Sequence, residues 1–164
     1  MTPAITLEQL LAWNQESSDF WKAHLDANPA LLQLPCGIGG NVHVQAFVRH
    51  IWGAELVWSQ IITGQPITDY DVWPDGPLEA LFDLHIQAVS NFRSLLNNPT
   101  ICWDEMTLHY PWRKPDQPKP TPRKALAHIL FHSQRHWAQL STLVRAAGFP
   151  SGFLGDFLFS SALA

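Results

Sequence analysis

The sequence predicts an all-α fold, a bundle of four helices with long connections. Three observations support this prediction. Apolar residues make up 46% of the 164 residues and charged residues only 15%, which is typical of a globular chain with a buried core. Four segments repeat apolar residues every three or four positions, as helices packed on one face do. No segment has the strong alternating pattern of a strand. At this length, residues 1–164 are expected to form a single domain.

The first two helices are expected over residues 6–28 and 41–63. The motif T-L-E-Q starting at Thr6 has the spacing of a capping box, and Pro29 ends the first helix. Asn41 is the expected N-cap of the second helix, and Gly64 is its expected left-handed cap. The apolar row of the second helix contains His43, Phe47, His50, Ala54, Val57 and Ile61.

The third helix is expected to begin with Pro77 at its first helical position and to end at residues 97–99. The fourth should have Thr121 as its N-cap and should continue from Pro122 to about Ala147. Between them, residues 100–112 are irregular, and some extended pairing is expected there. The prolines of KPDQPKPTP predict a loop, and the apolar tail SGFLGDFLFSSALA is expected to dock on the bundle.

Composition also limits the function classes. A net charge of −4 argues against nucleic-acid binding. The chain has no apolar run of membrane-spanning length, and its N-terminus lacks the features of a secretory signal, so a cytoplasmic protein is expected. Cys36 and Cys102 are interpreted as two reduced thiols, with one disulfide as the alternative. Half of the basic residues form either a solvated loop or a surface for an anionic small molecule: Arg113, Lys114, Lys119, Arg123 and Lys124.

The stretch HILFHSQRH, residues 128–136, places histidines four residues apart on the fourth helix. A projection at 100° per residue puts His136 within the apolar arc, His132 at its border and His128 toward the rim. Two histidines one turn apart can bind the same divalent ion. The pair His132 and His136 is therefore the better candidate for an inward-facing site, and a plain polar seam is the alternative.

A third ligand would have to come from another helix. His50 lies in the middle of the apolar row of the second helix, while His43 and His85 are competing donors. A buried histidine satisfied by a hydrogen bond is the commoner case, and spacing alone leaves the choice open. Three histidines with one position left for water would be typical of a catalytic metal site.

Two strings resemble the signature regions of the DinB/YfiT-like family: RHIWGAELVW at 49–58 and HILFHSQRHWAQL at 128–140. In that family the first region carries a histidine followed five residues later by Glu, and the second usually reads like HxxNHxxHHRGQ. Matched residue by residue, the metal ligands of the family fall on His50, His132 and His136, and its closing glutamine falls on Gln139. Phe131 and the Arg135 to Ala138 run depart from the family pattern, which affects the surroundings of the metal rather than the ligand spacing.

The resemblance implies a bundle that holds a divalent ion, zinc or nickel and also iron, between the second and fourth helices. It also implies a homodimer and a metal-dependent transferase or hydrolase that uses a low-molecular-weight thiol on a small electrophile. Glu55 matches the acidic position of the family, so it is a candidate second-shell acceptor or proton shuttle. Because Glu55 lies about 140° from His50 on the helix, a solvated or interhelical acid is the alternative.

Two functions from different classes therefore remain: a metal-dependent enzyme and a non-catalytic metal-binding or stress-response protein. An open fourth coordination position beside a cavity favours the enzyme, whereas closure of that position by His43 or Glu55 favours the binding protein. Trp52, Trp58 and Trp137 are expected either to line such a cavity or to pack in the core.

Overall fold

The computed structural model describes residues 4–73 and 75–163. Four α-helices form its body: α1 (Leu7–Ala27), α2 (Val44–Thr63), α3 (Leu78–Leu96) and α4 (Pro122–Ala146). Short 3-10 helices occupy parts of the connections and of the tail, and the described residues contain no strand. The predicted all-α four-helix architecture is confirmed.

The helix ends show how far local capping signals determine the elements. Thr6 accepts a hydrogen bond from the backbone of Gln9, whose side chain accepts one from the backbone of Thr6, so the capping box is formed. Gly64 closes α2 with φ 69°, a conformation that glycine adopts without steric cost. Thr121 caps α4 by accepting from the amide of Lys124, and Pro122 is the first helical residue. These predictions are confirmed.

The expected N-cap of α2 is wrong by two residues. Asn41 instead closes a 3-10 turn, because its amide group and its backbone both donate to the carbonyl of Ile38. The next residues are held extended by an isolated bridge between Pro35 and His43. His43 is therefore the N-cap, exposed to solvent, and it lies outside the apolar row to which the sequence pattern assigned it.

The start of α3 also differs from the prediction by one residue. Pro77 is the N-cap rather than the first helical residue, because its ψ of 157° is extended. Its carbonyl accepts the amide of Ala80 and so begins the first turn. The helix ends at Leu96, with Asn97 as its C-cap, as expected from the N-N-P sequence.

The extended pairing expected within residues 100–112 is not formed. The described residues of this segment are turns and irregular backbone. Two backbone bonds join the segment to the residues around the start of α4, from the amide of Leu108 to the carbonyl of Pro120 and from the amide of Arg123 to the carbonyl of Trp103. The neighbouring prolines cannot donate to a ladder, so these bonds do not extend into a strand pair.

The core lies where α2 packs against α3 and α4 while α1 closes the other side. Large aromatic side chains fill it. Trp21 and Trp137 stack with their ring centroids 5.8 Å apart, and Trp52 meets Trp137 edge-on at 5.7 Å. All three indoles are fully buried, so they contribute much of the apolar area removed from water.

The C-terminal tail docks on α1, as expected. Phe153 packs against Trp21, and Phe157 packs against Trp13 at a centroid distance of 5.1 Å. Ser160 and the backbone of Ser161 donate hydrogen bonds to the carboxylate of Glu16. These bonds attach the tail to the bundle more than one hundred residues away in the chain.

Two further expectations concern the membrane and the cysteines. Within residues 4–73 and 75–163, none of the helices combines the length and the apolar character needed to span a bilayer.

Cys36 and Cys102 are both free, so the disulfide alternative is not formed. Burial raises the pKa of the Cys36 thiol, which keeps it protonated and unreactive.

Candidate metal centre

Three histidines from two helices converge at one end of the α2–α4 interface. His50 of α2 faces His132 and His136 of α4, with ring centroids 5.3 Å from each. One nitrogen from each ring lies within 4.8 Å of the other two. We call these three residues the histidine cluster. Of the donors weighed in the sequence, His50 is the one that the fold brings to the pair on α4.

The geometry of His136 defines which of its nitrogens is free. Its Nδ1 lies 2.6 Å from Oε1 of Gln139, and a carbonyl oxygen can only accept, so Nδ1 carries the proton. The lone pair of the neutral ring is then on Nε2, 3.0 Å from Nε2 of His132. Nitrogens bound to one tetrahedral zinc at about 2.0–2.1 Å lie roughly 3.3 Å apart, so this pair already has ligand spacing.

His132 lacks the partner that His136 has. Its Nδ1 is buried without a hydrogen bond to any residue of 4–73 or 75–163, and its Nε2 faces Nε2 of His136. Nδ1 therefore lacks a hydrogen-bond partner, whether it carries the proton of the neutral ring or the lone pair. Buried polar atoms normally have partners, so the described residues do not fully satisfy this ring.

Electrostatics keep the histidine cluster neutral. Burial, followed by the neighbouring His136 and His50, lowers the pKa of His132 to about 3. Burial also lowers the pKa of His50, with a further contribution from His136. For His136, burial lowers the pKa and outweighs the bond to Gln139. Neutral imidazoles are the form that binds metals, so the cluster presents available lone pairs at neutral pH.

The remaining histidines of the sequence prediction have other environments. His128 is exposed at the rim, with its ring centroid 6.0 Å from that of His132, as its helical projection predicts. His43 is the exposed N-cap of α2. His85 is buried on α3, where it stacks on Phe82 and binds Glu55.

Glu55 lies inside the bundle rather than among the three histidines. Its carboxylate is fully buried and accepts three hydrogen bonds: from Asn14 at 2.8 Å, Ser133 at 2.6 Å and His85 Nδ1 at 2.5 Å. We call these four residues the carboxylate cluster. The solvated alternative for Glu55 is therefore wrong, and the interhelical alternative describes its position. Its three partners come from α1, α3 and α4, so it links all the helices.

A cleft of about 690 Å³ opens beside the histidine cluster. His50 and His132 form part of its wall, and this volume lies within the range of small-molecule sites. Most of the other lining residues are apolar or aromatic: Ala54, Val57, Trp58, Ile67, Thr68, Asp69, Tyr70, Trp73, Pro111, Trp112 and His128.

One wall of this cleft is the connection between α2 and α3, whose described parts are residues 64–73 and 75–77. Arg49 donates to the carbonyls of Tyr70 and Trp73 at 3.0 and 2.9 Å and lies over the Tyr70 ring. Trp73 lies directly against Gly53, where a Cβ would come within 2.0 Å of the indole. Only glycine allows this approach, so Gly53 and Arg49 together fix the wall along α2.

Another part of the lining of the cleft belongs to α2 and to the segment before α4. Trp58 contacts Tyr110 and Trp112 at centroid distances of 5.3 and 6.1 Å. Of the three tryptophans considered from the sequence, Trp58 lines the cleft, and Trp52 and Trp137 belong to the core.

The basic residues near this wall do not converge on one point. Arg123 forms two hydrogen bonds with Asp104, and Arg113 donates to carbonyls of its own loop. Lys124 lines a smaller cavity of about 260 Å³ that shares Trp58 and His128 with the cleft.

Sequence reasoning missed the partners of Glu55 and the walls of the cleft. A weak signal existed for Asn14, a polar residue within the apolar row of α1, because a polar side chain in a core position needs a partner. Ser133, Tyr70 and Trp112 gave no comparable signal. Their roles depend on contacts with residues far away in the chain.

The chain matches no family model and no curated protein.

Proposed function

We propose that the protein is a divalent-metal-binding enzyme of the DinB/YfiT-like type, with His50, His132 and His136 as the metal ligands. The observation that supports this most is the convergence of one nitrogen from each of these rings within 4.8 Å. The proposed ion is zinc or nickel, with iron as a further choice, since imidazole nitrogen binds each of them. The proposed reaction is a transfer or hydrolysis that uses a low-molecular-weight thiol or water on a small electrophile.

The donor set fits such an ion. The three rings are held neutral by burial, and Gln139 fixes the tautomer of His136 so that its Nε2 lone pair points at His132. A hydrogen bond to the outer nitrogen of a metal-bound histidine usually fixes the tautomer and the orientation of the ring. An ion bound by three neutral imidazoles keeps its double positive charge and acidifies a water or thiol that it binds.

The surroundings favour the enzyme over a purely structural metal site. Glu55 is occupied by three hydrogen bonds within the bundle, and His43 is exposed before α2. Neither of the residues that would close the fourth position is placed to do so. The cleft instead reaches His50 and His132, so a substrate has a route to the ion. Glu55 supports α2 and α4 from inside the bundle in this proposal and is not a catalytic residue.

Metal content provides the test. The wild-type chain, purified without added metal and then dialysed against one equivalent of zinc, is expected to retain about one ion per chain by mass spectrometry of metals. His50→Ala and His136→Ala each remove one of three ligands and are expected to lower the zinc affinity by at least roughly 100-fold.

His128→Ala is the matched control, because it removes an imidazole from the same face of α4 without touching the cluster. It should retain the metal content of the wild type. Near-zero metal in all four proteins would overturn the proposal, and so would equal metal loss in the control. For the reaction, a panel of thiols with electrophilic substrates should show turnover in the metal-loaded wild type and none in His50→Ala and His136→Ala.

A further inference from the structure

We infer that the smaller cavity next to the cleft, between Trp58 of α2 and Lys124 of α4, binds a small aromatic acid through its carboxylate. We call it the Lys124 cavity. It has a volume of about 260 Å³ and is lined by Trp58, Tyr110, Gln117, Pro118, Pro120, Lys124, Ala125 and His128. None of the three proposed metal ligands is among these described residues, so the inference goes beyond the proposed function and does not depend on it.

One part of the Lys124 cavity is an apolar surface that is already held in place. Trp58 and Tyr110 pack together with their ring centroids 5.3 Å apart. Pro118 and Pro120 have backbones restricted by their own rings, and the carbonyl of Pro120 accepts the amide of Leu108. An ordered wall loses little conformational freedom on binding, which favours a rigid apolar body in the ligand.

The other part of the cavity offers a cation and hydrogen-bond donors. Among the described residues that line it, Lys124 is the only Lys, Arg, Asp or Glu, and no ion pair within residues 4–73 and 75–163 includes it. Oε1 of Gln117 accepts the backbone amide of Lys114 at 3.1 Å, which leaves the N–H groups of Nε2 as the part that can donate to a ligand. An ammonium and an amide N–H both require an acceptor, and the ammonium favours a negatively charged one.

The segment that builds the cavity is positive within a negative chain. Residues 100–125 contain five basic and three acidic residues, a formal charge of +2, so the rest of the chain carries −6 for its total of −4. Of the three acids, Asp104 is paired with Arg123, and Glu105 and Asp116 do not line the cavity. The local field therefore attracts an anion to this segment.

The charges of the neighbouring cleft do not oppose an anion here. Its one carboxylate, Asp69, is next to Tyr70, whose ring carries the guanidinium of Arg49 at 4.6 Å. Arg135 of α4 is close enough to His128 to act on it electrostatically. A divalent ion on the histidine cluster would add further positive charge.

Two probes of nearly the same shape test the charge preference. Naphthalene-2-carboxylate is anionic near neutral pH, and naphthalene-2-carboxamide is its neutral counterpart. The full chain is first freed of metal by a chelator, so that the carboxylate cannot bind an ion, and ligand-observed NMR titrations then measure both affinities. We expect the carboxylate to bind on the order of fivefold more tightly, as one partly exposed ion pair allows. About 0.5 M sodium chloride should remove most of this preference by screening.

Three variants locate the binding. Lys124→Gln should abolish the preference for the carboxylate and leave the affinity for the amide nearly unchanged. Lys119→Gln is the matched control, because it makes the same charge change at an exposed residue of the same segment that does not line the cavity. Tyr110→Leu should weaken both probes roughly two- to tenfold, the value of an aromatic contact. Circular dichroism verifies that each variant keeps the helical fold.

The outcomes separate this inference from the metal proposal. Equal or weaker binding of the carboxylate, a preference that survives Lys124→Gln, or equal losses in Lys124→Gln and Lys119→Gln would each overturn it. All of these are measured without metal. A chain that prefers the carboxylate through Lys124 but takes up no zinc would contradict the proposed function while leaving the anion site established.

Discussion

Two polar clusters both include residues of α2 and α4, and they are built in opposite ways. In the carboxylate cluster, both oxygens of Glu55 are occupied, and its three donors come from the other three helices. In the histidine cluster, Nε2 of His132 and Nε2 of His136 face each other, and Nδ1 of His132 has no partner among the described residues. The first cluster is closed to solvent, and the second opens onto the cleft.

The comparison shows that a structural polar residue can be distinguished from a ligand-binding one by whether its hydrogen-bonding capacity is already used. A saturated carboxylate has no remaining capacity for a ligand and stabilises the packing of the helices. Three ring nitrogens that converge from two helices have a capacity to bind an ion that the described residues do not use. The sequence alone left these two cases open, because helical geometry turns Glu55 about 140° from His50 without showing which distant side chains either residue meets.

The largest expected effect on stability comes from a substitution that breaks the carboxylate cluster. Glu55→Ala leaves Asn14, His85 and Ser133 without their shared acceptor in the core, and it should lower the free energy of unfolding by about 3–5 kcal/mol. Urea denaturation of the metal-free protein measures this loss. Asp83→Ala, at an exposed position of α3, is the control and should change the stability little. A loss below about 1 kcal/mol for Glu55→Ala would show that the cluster is not structural.

The next prediction compares one histidine from each cluster by the same substitution. His85→Phe removes a donor from the buried carboxylate and should destabilise the metal-free chain by about 1–3 kcal/mol with its zinc content unchanged. His132→Phe should abolish zinc retention. It should cost the metal-free chain less than His85→Phe, because the imidazole that it removes has an unpaired buried nitrogen.

Zinc content and the free energy of unfolding are measured for both His85→Phe and His132→Phe, so each cluster is tested in both properties. Zinc loss in His85→Phe with retention in His132→Phe would reverse the assignment of the two clusters. Similar behaviour of the two variants in both measurements would show that the clusters are not separate.

The smallest expected effect is on zinc affinity and concerns the hydrogen bond between Gln139 and His136 of the histidine cluster. Gln139→Leu removes the acceptor that fixes the tautomer of His136, and it should weaken zinc binding roughly 10–100-fold. Gln139→Glu keeps an acceptor oxygen and should retain affinity near that of the wild type. A competition titration against a zinc chelator measures both. Equal affinities for Leu and Glu would show that the bond does not position the ligand.

Much of the fold was predictable because its signals are local. The capping box at Thr6, the glycine cap at Gly64 and the Thr121–Pro122 start of α4 each involve residues within one turn. The wrong N-cap of α2 has the opposite origin. The bridge between Pro35 and His43 holds the chain extended past Asn41, and such a pairing leaves no mark in a local pattern.

The candidate site divides in the same way. Helical periodicity alone placed His132 and His136 on one face and moved His128 to the rim, since four residues make slightly more than one turn. The resemblance then indicated His50, which spacing could not separate from His43 and His85. Packing decides that choice in the structure: His43 lies before the helix, and His85 is paired with Glu55.

The sequence by itself determined the four helices, most of their caps and the two-histidine face of α4, because these depend on residues within a turn of each other. Only the tertiary structure decided the third histidine, the burial of Glu55 and the aromatic walls of the cleft. Asn14 and Ser133 reach Glu55 from 41 and 78 residues away along the chain. The physical reason is that hydrogen-bond partners and cavity walls belong to the packing of distant segments, which no local periodicity encodes.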